Sequence, residues 1–333
     1  MLEMTRVKPL SSDGLLDAWL FDGKGSARRL DLEEARAHRA EEGGFVWLHF
    51  RRLPNMSDTW LHSGSGLDPH VVEELMDTHA RPRCQVMEEG ALLILRAINL
   101  HANSLPEDMV SLTLWVDAER IVSVQYEPIS ALADYMDSIA RRRCARTQGE
   151  MVADLATRLV DRLDLVVSML TEDADELEDD ALRLPATDVL PRVLVLRRVA
   201  MKLRRHIAPQ REALNHFSLE DDPWIGPKDR NRLRDAADRV SRFSEELDSV
   251  RERSMLIREQ IVDRRAEQMN QSMLVLAAVT VVFAPLTLIS GMMGMNVGGI
   301  PGSSDPAAFW VISVLFVVLG VGLVRLFKHL KWF

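Results

Sequence analysis

The chain has little of what marks a catalyst or a secreted module. Only two cysteines, Cys84 and Cys144, occur in 333 residues. That excludes a disulfide framework and a four-cysteine zinc module, and it suits a reducing compartment. Glycine (17) and proline (14) are sparse, which excludes collagen-like and low-complexity architectures. A basic excess is also missing: the net charge is −9, so nucleic acid is not an expected partner. Met1 to Pro9 has no apolar core, and no secretory signal is expected there. No Gly-rich phosphate loop, nucleophile triad or close carboxylate pair stands out. The chain therefore does not read as an enzyme, and no bound cofactor is expected. What it does have is 47% hydrophobic and 27% charged residues, which excludes a wholly disordered chain.

The most informative absence is local. Residues 270–304 carry no charge, and neither do residues 306–324. Every acid but Asp305 precedes position 270, so residues 1–269 hold 49 acids and 38 bases. The last nine residues hold only bases, Arg325, Lys328 and Lys331. Met273 to Met293 is an uncharged run of 21 residues and Ala307 to Val324 one of 18. A bilayer core of about 30 Å needs about 20 apolar residues as helix, so both read as membrane spans. A buried soluble hairpin is the bland alternative. Arg258, Arg264 and Arg265 precede the first span, and the basic tail follows the second. The connecting segment, 294–306, has no Lys or Arg, so both termini are expected in the cytoplasm and the loop outside. Trp310 and Trp332 suit the two interfaces.

Ahead of the spans, residues 1–128 read as an α/β domain. Strands are expected at Leu15–Phe21, Phe45–Phe50, Ala91–Leu100, Met109–Val116 and Arg120–Tyr126. Helices are expected at Asp31–Glu42 and Asp68–Asp77, the latter opened by Asp68-Pro69. Residues 129–226 read as helical, with helices at 129–143, 150–182 and 187–217 broken at Gly149 and Pro185. After Pro223, Gly226 and Pro227 one helix runs without an evident stop from Lys228 to Met293, about 100 Å at 1.5 Å per residue. Leu233, Ala236, Val240, Phe243, Leu247, Val250, Ser254, Ile257 and Ile261 recur along it at steps of three and four, a heptad stripe suited to helix packing.

A second stripe occupies the first span: Asn270, Met273, Ala277, Thr280, Ala284, Thr287, Gly291 and Gly294. It is small or polar, against Val275, Val279, Val282, Leu286 and Ile289 on the opposite face. Such a face either lets helices approach closely or lines a watery path. Continued backwards it meets Asp263, Glu259 and Glu252, which would ring an axis with carboxylates or stand on a solvated face. One hairpin cannot enclose a channel, so a pore would need a ring of identical chains.

The first span closes on Gly294-Met295-Asn296, after Pro285-Leu286-Thr287 and Gly291. Gly-Met-Asn at the end of the first of two C-terminal spans resembles the CorA family of divalent-cation transporters, as does the basic end around Lys328 and Lys331. The resemblance implies a CorA-like fold: an α/β cytoplasmic domain, a helical stalk and two C-terminal transmembrane helices, assembled as a homopentameric funnel in a bacterial inner membrane. It implies that residues 227–293 are stalk and first span, 294–306 the external loop, 307–327 the second span and 328–333 a cytoplasmic tail. Asn296 and Gly294, with Met295, would form the mouth and meet a hydrated cation through its water shell. Asn270, Met273 and Thr287 would fall at pore-lining positions, with Met273 the narrowest point of a closed state. Val297-Gly298-Gly299-Ile300-Pro301 resembles the zinc-transporting ZntB branch, which implies Zn²⁺ as cargo with proton-linked uptake. Mg²⁺, Co²⁺, Ni²⁺ and Cd²⁺ are the other divalent candidates. A magnesium or cobalt channel gated by cytoplasmic metal binding is the alternative, and a membrane-anchored coiled-stalk structural or sensor protein is the alternative of another class. Lipid, protons and a second copy of the chain are the other expected partners. Without an ATP site, transport would draw on the membrane potential or an ion gradient.

Several residues have a metal reading beside a bland one. His62, His70, His79 and Cys84 fall close in sequence, and His79 and Cys84 are the candidates for a soft site, though the spacing matches no tetrahedral module. Residues 171–180 hold seven acids, either a solvated helix end or a cation-attracting surface. Met292, Met293 and Met295 read as packing near the mouth or as a soft cluster. No His or Cys lies on the membrane stripe, so nothing there would select zinc by coordination.

Overall fold

The computed structural model describes residues 14–37, 43–52, 60–77, 80–99, 105, 107–295, 298, 300 and 305–329. They form two compact units, Met1–Ile257 and Arg258–Phe333.

The first unit opens with a mixed sheet. In chain order its elements are β1 (Leu15–Phe21), β2 (Ala27–Arg29), α1 (Leu32–Ala37), β3 (Phe45–Arg51), α2 (Trp60–Ser63), α3 (Pro69–Leu75), β4 (Arg83–Met87), β5 (Gly90–Ala97), β6 (Val110–Asp117) and β7 (Arg120–Gln125). The strand order is β2-β1-β3-β7-β6-β5-β4, with β3 and β7 parallel and all other neighbours antiparallel. Period two divides the side chains between the faces. Leu48, Phe50, Val122 and Val124 pack with Val71, Val72 and Leu75 of α3 on one face. On the other, Trp47 meets the Tyr135 ring edge-on at 5.7 Å between centroids. Cover on both faces explains why β5 is buried at every position.

Five expected strands are present within a few residues of their expected ends. The three-residue β2 and the strand β4 are not among the expected ones. Both are edges of the sheet, where one side of the strand faces solvent and no continuous apolar run is required. Helix α3 begins as expected: Asp68 Oδ1 accepts from the His70 amide at 2.7 Å, and Pro69 supplies the first turn.

Four helices follow: α4 (Ser130–Ala140), α5 (Gln148–Arg183), α6 (Ala186–Ser218) and α7 (Pro227–Met293). Gly149 is not a break. Thr147 caps α5 by accepting from the Glu150 amide at 3.1 Å, and Gly149 stands in the first turn. Its amide donates to Trp224 O at 3.0 Å, and a Cβ there would lie 2.8 Å from both Trp224 O and Ile225 Cα. The glycine marks a crossing of two backbones.

All nine residues of the α7 heptad stripe are buried, none more than 4% exposed. Ser254 is accommodated because its hydroxyl donates to Val250 O at 2.7 Å. Beside this seam α7 carries arginines that reach α5: Arg232 to Asp154 at 2.9 Å, Arg239 to Asp161 at 2.7 Å and Arg253 to Asp175 at 2.5 Å. Each pair is 78 residues apart, so the two helices run parallel. Arg204–Asp248 and Arg211–Ser241 set α6 antiparallel to α7. The acidic run is largely spent on such pairs. Asp175 and Glu178 hold Arg253, Glu176 and Asp180 hold Arg192, and Asp179 faces Arg183. Only Glu172 and Asp173 are left over among its seven acids, so the solvated, ion-paired reading of 171–180 prevails over a cation-attracting surface.

The second unit consists of α7 from Arg258 onward and α8 (Ala308–His329).

Candidate ion-conduction site

The membrane reading rests on two helices with apolar windows of mean hydropathy 2.4 each, 6% buried in α7 and 0% in α8. The core helix of a soluble hairpin would be mostly buried, so that alternative loses its support.

Within this unit α8 covers one side of α7. Gly320 gives room for Leu286, whose Cδ1 lies 4.0 Å from where a Cβ on Gly320 would be. Ala278 is 5% exposed, and Val282, Leu286 and Ile289 are half-buried. At about 100° per residue these four define a face opposite the small and polar stripe. Asn270, Met273, Ala277, Thr280, Ala284, Thr287, Gly291 and Gly294 are accordingly all exposed. From Thr280 onward the expected stripe thus lies on the side of α7 away from α8, whereas every residue from 262 to 277 is exposed whichever side it faces. Of the residues expected on the other face, Val275 and Val279 remain exposed.

The C-terminal half of the stripe is a groove of about 550 Å³, floored by Thr280, Ala284, Thr287 and Gly291 and walled by Phe283, Leu288, Met292 and Met295. The methionines Met292 and Met295 are thus apolar walls. Thr280 donates its hydroxyl proton to Leu276 O at 2.8 Å, which leaves the oxygen lone pairs as acceptors toward the groove. Hydroxyl oxygens presented this way suit the outer water shell of a cation. Helix α7 ends where the Gly294 amide donates to Ser290 O at 3.0 Å. Asn296 lies outside the described residues, as does His79. Asp305, the loop's single acid, accepts from the Ala307 amide at 2.9 Å and so begins α8.

N-terminal to the stripe on α7, Glu252, Glu259 and Asp263 are exposed and without an ion pair among the described residues. The structure extends the row to Asp238 and Glu245, also exposed. Their seven-residue spacing was visible in sequence but had no partner pattern to draw notice. Cys84, on β4, is half-buried, and burial, with the charge of Glu220 second, pushes its thiol up to about 12. A thiol held protonated is a poor metal ligand. His206 is held below its ordinary value by burial and by Arg96, Arg205 and Arg81, surroundings that repel a cation. Among the described residues no group of three His, Cys, Asp or Glu could hold a metal ion.

Known proteins share this layout. A relative from Pseudomonas aeruginosa, the divalent cation transporter CmaX, is 31% identical over 322 residues, covering 96% of this chain and 97% of its own. The zinc transport protein ZntB of Pectobacterium atrosepticum is 29% identical over 327 residues, with 98% of each chain covered. The structure of full-length CmaX superposes with a TM-score of 0.82 over 97% of this chain and 99% of that one, at 30% identity. The CorA magnesium transporter of Methanocaldococcus jannaschii matches in fold, with a TM-score of 0.82 over 95% and 98% at 20% identity. The sequence model described as CorA-like Mg²⁺ transporter protein matches residues 42–329. By that match and by its full-length likeness to CmaX, the chain belongs to the CorA-like Mg²⁺ transporter family.

Proposed function

We propose that the chain is a divalent-cation transporter, not an enzyme, of the bacterial inner membrane. It works as a ring of identical subunits, five by family resemblance, whose α7 helices line a central path. The single observation that carries this is the stripe from Thr280 to Gly291, left open on the side of α7 opposite α8. A polar, small-residue face on a membrane helix needs either a close neighbour or water, and hydroxyl and amide oxygens without charge hold a hydrated divalent ion loosely enough to pass it on. Gly294 and Asn296 form the outer mouth, with both termini in the cytoplasm.

Zn²⁺ is the favoured cargo, entering with protons. The support is the Val297–Pro301 segment and the likeness to proteins named for zinc transport. The family's description as a magnesium transporter favours Mg²⁺ as the second reading. The test is reconstitution in liposomes loaded with a zinc-sensitive or a magnesium-sensitive dye, with and without an inward proton gradient. Zinc entry quickened by the gradient supports the first reading. Gradient-independent magnesium entry moves the chain to the second, and absence of flux for zinc and magnesium refutes both readings; absence of flux for Co²⁺, Ni²⁺ and Cd²⁺ as well leaves a membrane-anchored stalk.

A further inference from the structure

Four arginines crowd the connection between α4 and α5: Arg141, Arg142, Arg143 and Arg146. Residues 138–149 contain no acid, in a chain whose net charge is −9. All four arginines are exposed, and among the described residues none has an ion pair or a side-chain hydrogen bond. Arginines at a helix C-terminus ordinarily serve its free carbonyls. Here backbone amides already do so. The Arg141 amide donates to Asp137 O at 3.1 Å, the Arg142 amide to Ile139 O at 2.9 Å and the Arg143 amide to Ser138 O at 2.9 Å. The last two bonds make a Schellman motif, whose left-handed position usually carries glycine. Arg142 occupies it at φ 59°, the only non-glycine residue with positive φ among the described residues. A side chain there carries a conformational cost that glycine avoids, so the turn itself gives no reason for an arginine. Arg146 Nε lies 3.7 Å from where a Cβ on Gly25 would be, which sets that side chain against the β1–β2 turn and its exposed Lys24. Of the nearby acids, Glu150 accepts from the Arg146 amide at 2.7 Å and Asp22 from the Lys24 amide at 2.8 Å. Asp137, one turn before Arg141, is exposed.

We propose that the α4–α5 turn binds a small polyphosphate of triphosphate size, free or as part of a nucleotide. Guanidinium groups take phosphate oxygens two at a time, which a row of lysines would not. A triphosphate carries roughly three to four negative charges, which four arginines match. A longer polyanion would run on over a surface that is acidic as a whole and be repelled there. A bilayer does not fit either. The turn leads into α5 beside Trp224, just ahead of the start of α7 at Pro227. From there α7 runs 30 residues, about 45 Å, before it leaves the unit at Ile257. The arginines thus stand at the far end of the unit from that exit. This inference does not depend on which cation the chain carries, nor on its assembly as a ring.

Titration calorimetry on the full-length protein in detergent, at low salt and without divalent cations, tests this with two probes, sodium tripolyphosphate and ATP. Both bind with Kd below about 1 mM and weaken as salt is added. Equal affinities identify the phosphate chain as the ligand, and tighter ATP identifies a nucleotide; both support the site. Arg141→Gln, Arg143→Gln and Arg146→Gln combined weaken binding about thirtyfold, at about threefold for each exposed pair. Arg142→Gly keeps the test clear of misfolding. It puts glycine at the left-handed position, so it raises Tm while weakening binding about threefold. Neither probe binding up to millimolar concentration, or either variant binding as tightly as the wild type, overturns the proposal.

Discussion

Gly149→Ala sets two known effects against each other. In the first turn of a helix, alanine is favoured over glycine by about 1 kcal/mol, so on local grounds the substitution stabilises α5. The structure puts a Cβ at this position 2.8 Å from Trp224 O and Ile225 Cα, and 3.3 Å from Asp229 Oδ2. Two of these are backbone atoms of the segment that leads into α7, which has no flexible end to swing aside. Moving that segment forces local strain of about 1–3 kcal/mol. It also breaks the 3.0 Å hydrogen bond from the Gly149 amide to Trp224 O, worth about 1 kcal/mol net. The clash outweighs the propensity gain, and the expected loss is about 1–3 kcal/mol, or about 2–6 °C in Tm for a unit of this size. Circular dichroism melts of the full-length protein in detergent measure it. Gly322→Ala is the control, because nothing lies within 4 Å of a Cβ at that helical glycine. A Gly149→Ala variant that melts at or above the wild-type temperature would refute the crossing of α5 and the 224–225 backbone.

Other outcomes follow from the site and the core. Asn296→Ala abolishes cation flux in liposomes while the assembly keeps its mass; retained flux removes Asn296 from the mouth. With Met273 proposed as the narrowest point of a closed state, Met273→Ala is expected to raise basal flux, and a pore profile with its minimum elsewhere contradicts that role. His49 is fully buried, its Nδ1 2.7 Å from Ser123 Oγ, and burial pushes its pKa down to about 4. The unfolded chain therefore takes up a proton near pH 6.5 that the folded chain refuses until about pH 4. Stability falls by about 1.4 kcal/mol per pH unit through that window, and denaturant midpoints for His49→Gln lose this part of the slope.

Legibility in the sequence followed the reach of each interaction. The α7 seam from Leu233 to Ile261 was readable because burial repeats within one helix, and all nine positions are packed. The stripe from Asn270 to Gly294 was readable because small and polar residues also recur within one helix, although it is exposed rather than buried. The meaning of residues 171–180 was not, because the arginine that takes Asp175 and Glu178 is 75–78 residues away. Gly149 looked like punctuation because a glycine required by another backbone and a glycine required by a turn are the same letter. Edge strand β2 escaped because its polar residues have only one neighbour strand to satisfy. The mouth role proposed for Asn296 rests on family resemblance alone.

The pairing between α5 and α7 has a rung missing. Asp154, Asp161 and Asp175 face Arg232, Arg239 and Arg253, but between them Ser168 stands level with Glu246. A slip by one residue turns the contact face by about 100° and loses every pair, so the smallest repeat of the ladder is a heptad, about 10 Å. A slip of one heptad in either direction brings Glu246 level with Asp161 or Asp175, carboxylate against carboxylate. The irregular rung acts as a key that favours one seating: a heptad slip keeps only one of the three rungs and adds a like-charge contact, so sliding of α7 along α5 is disfavoured.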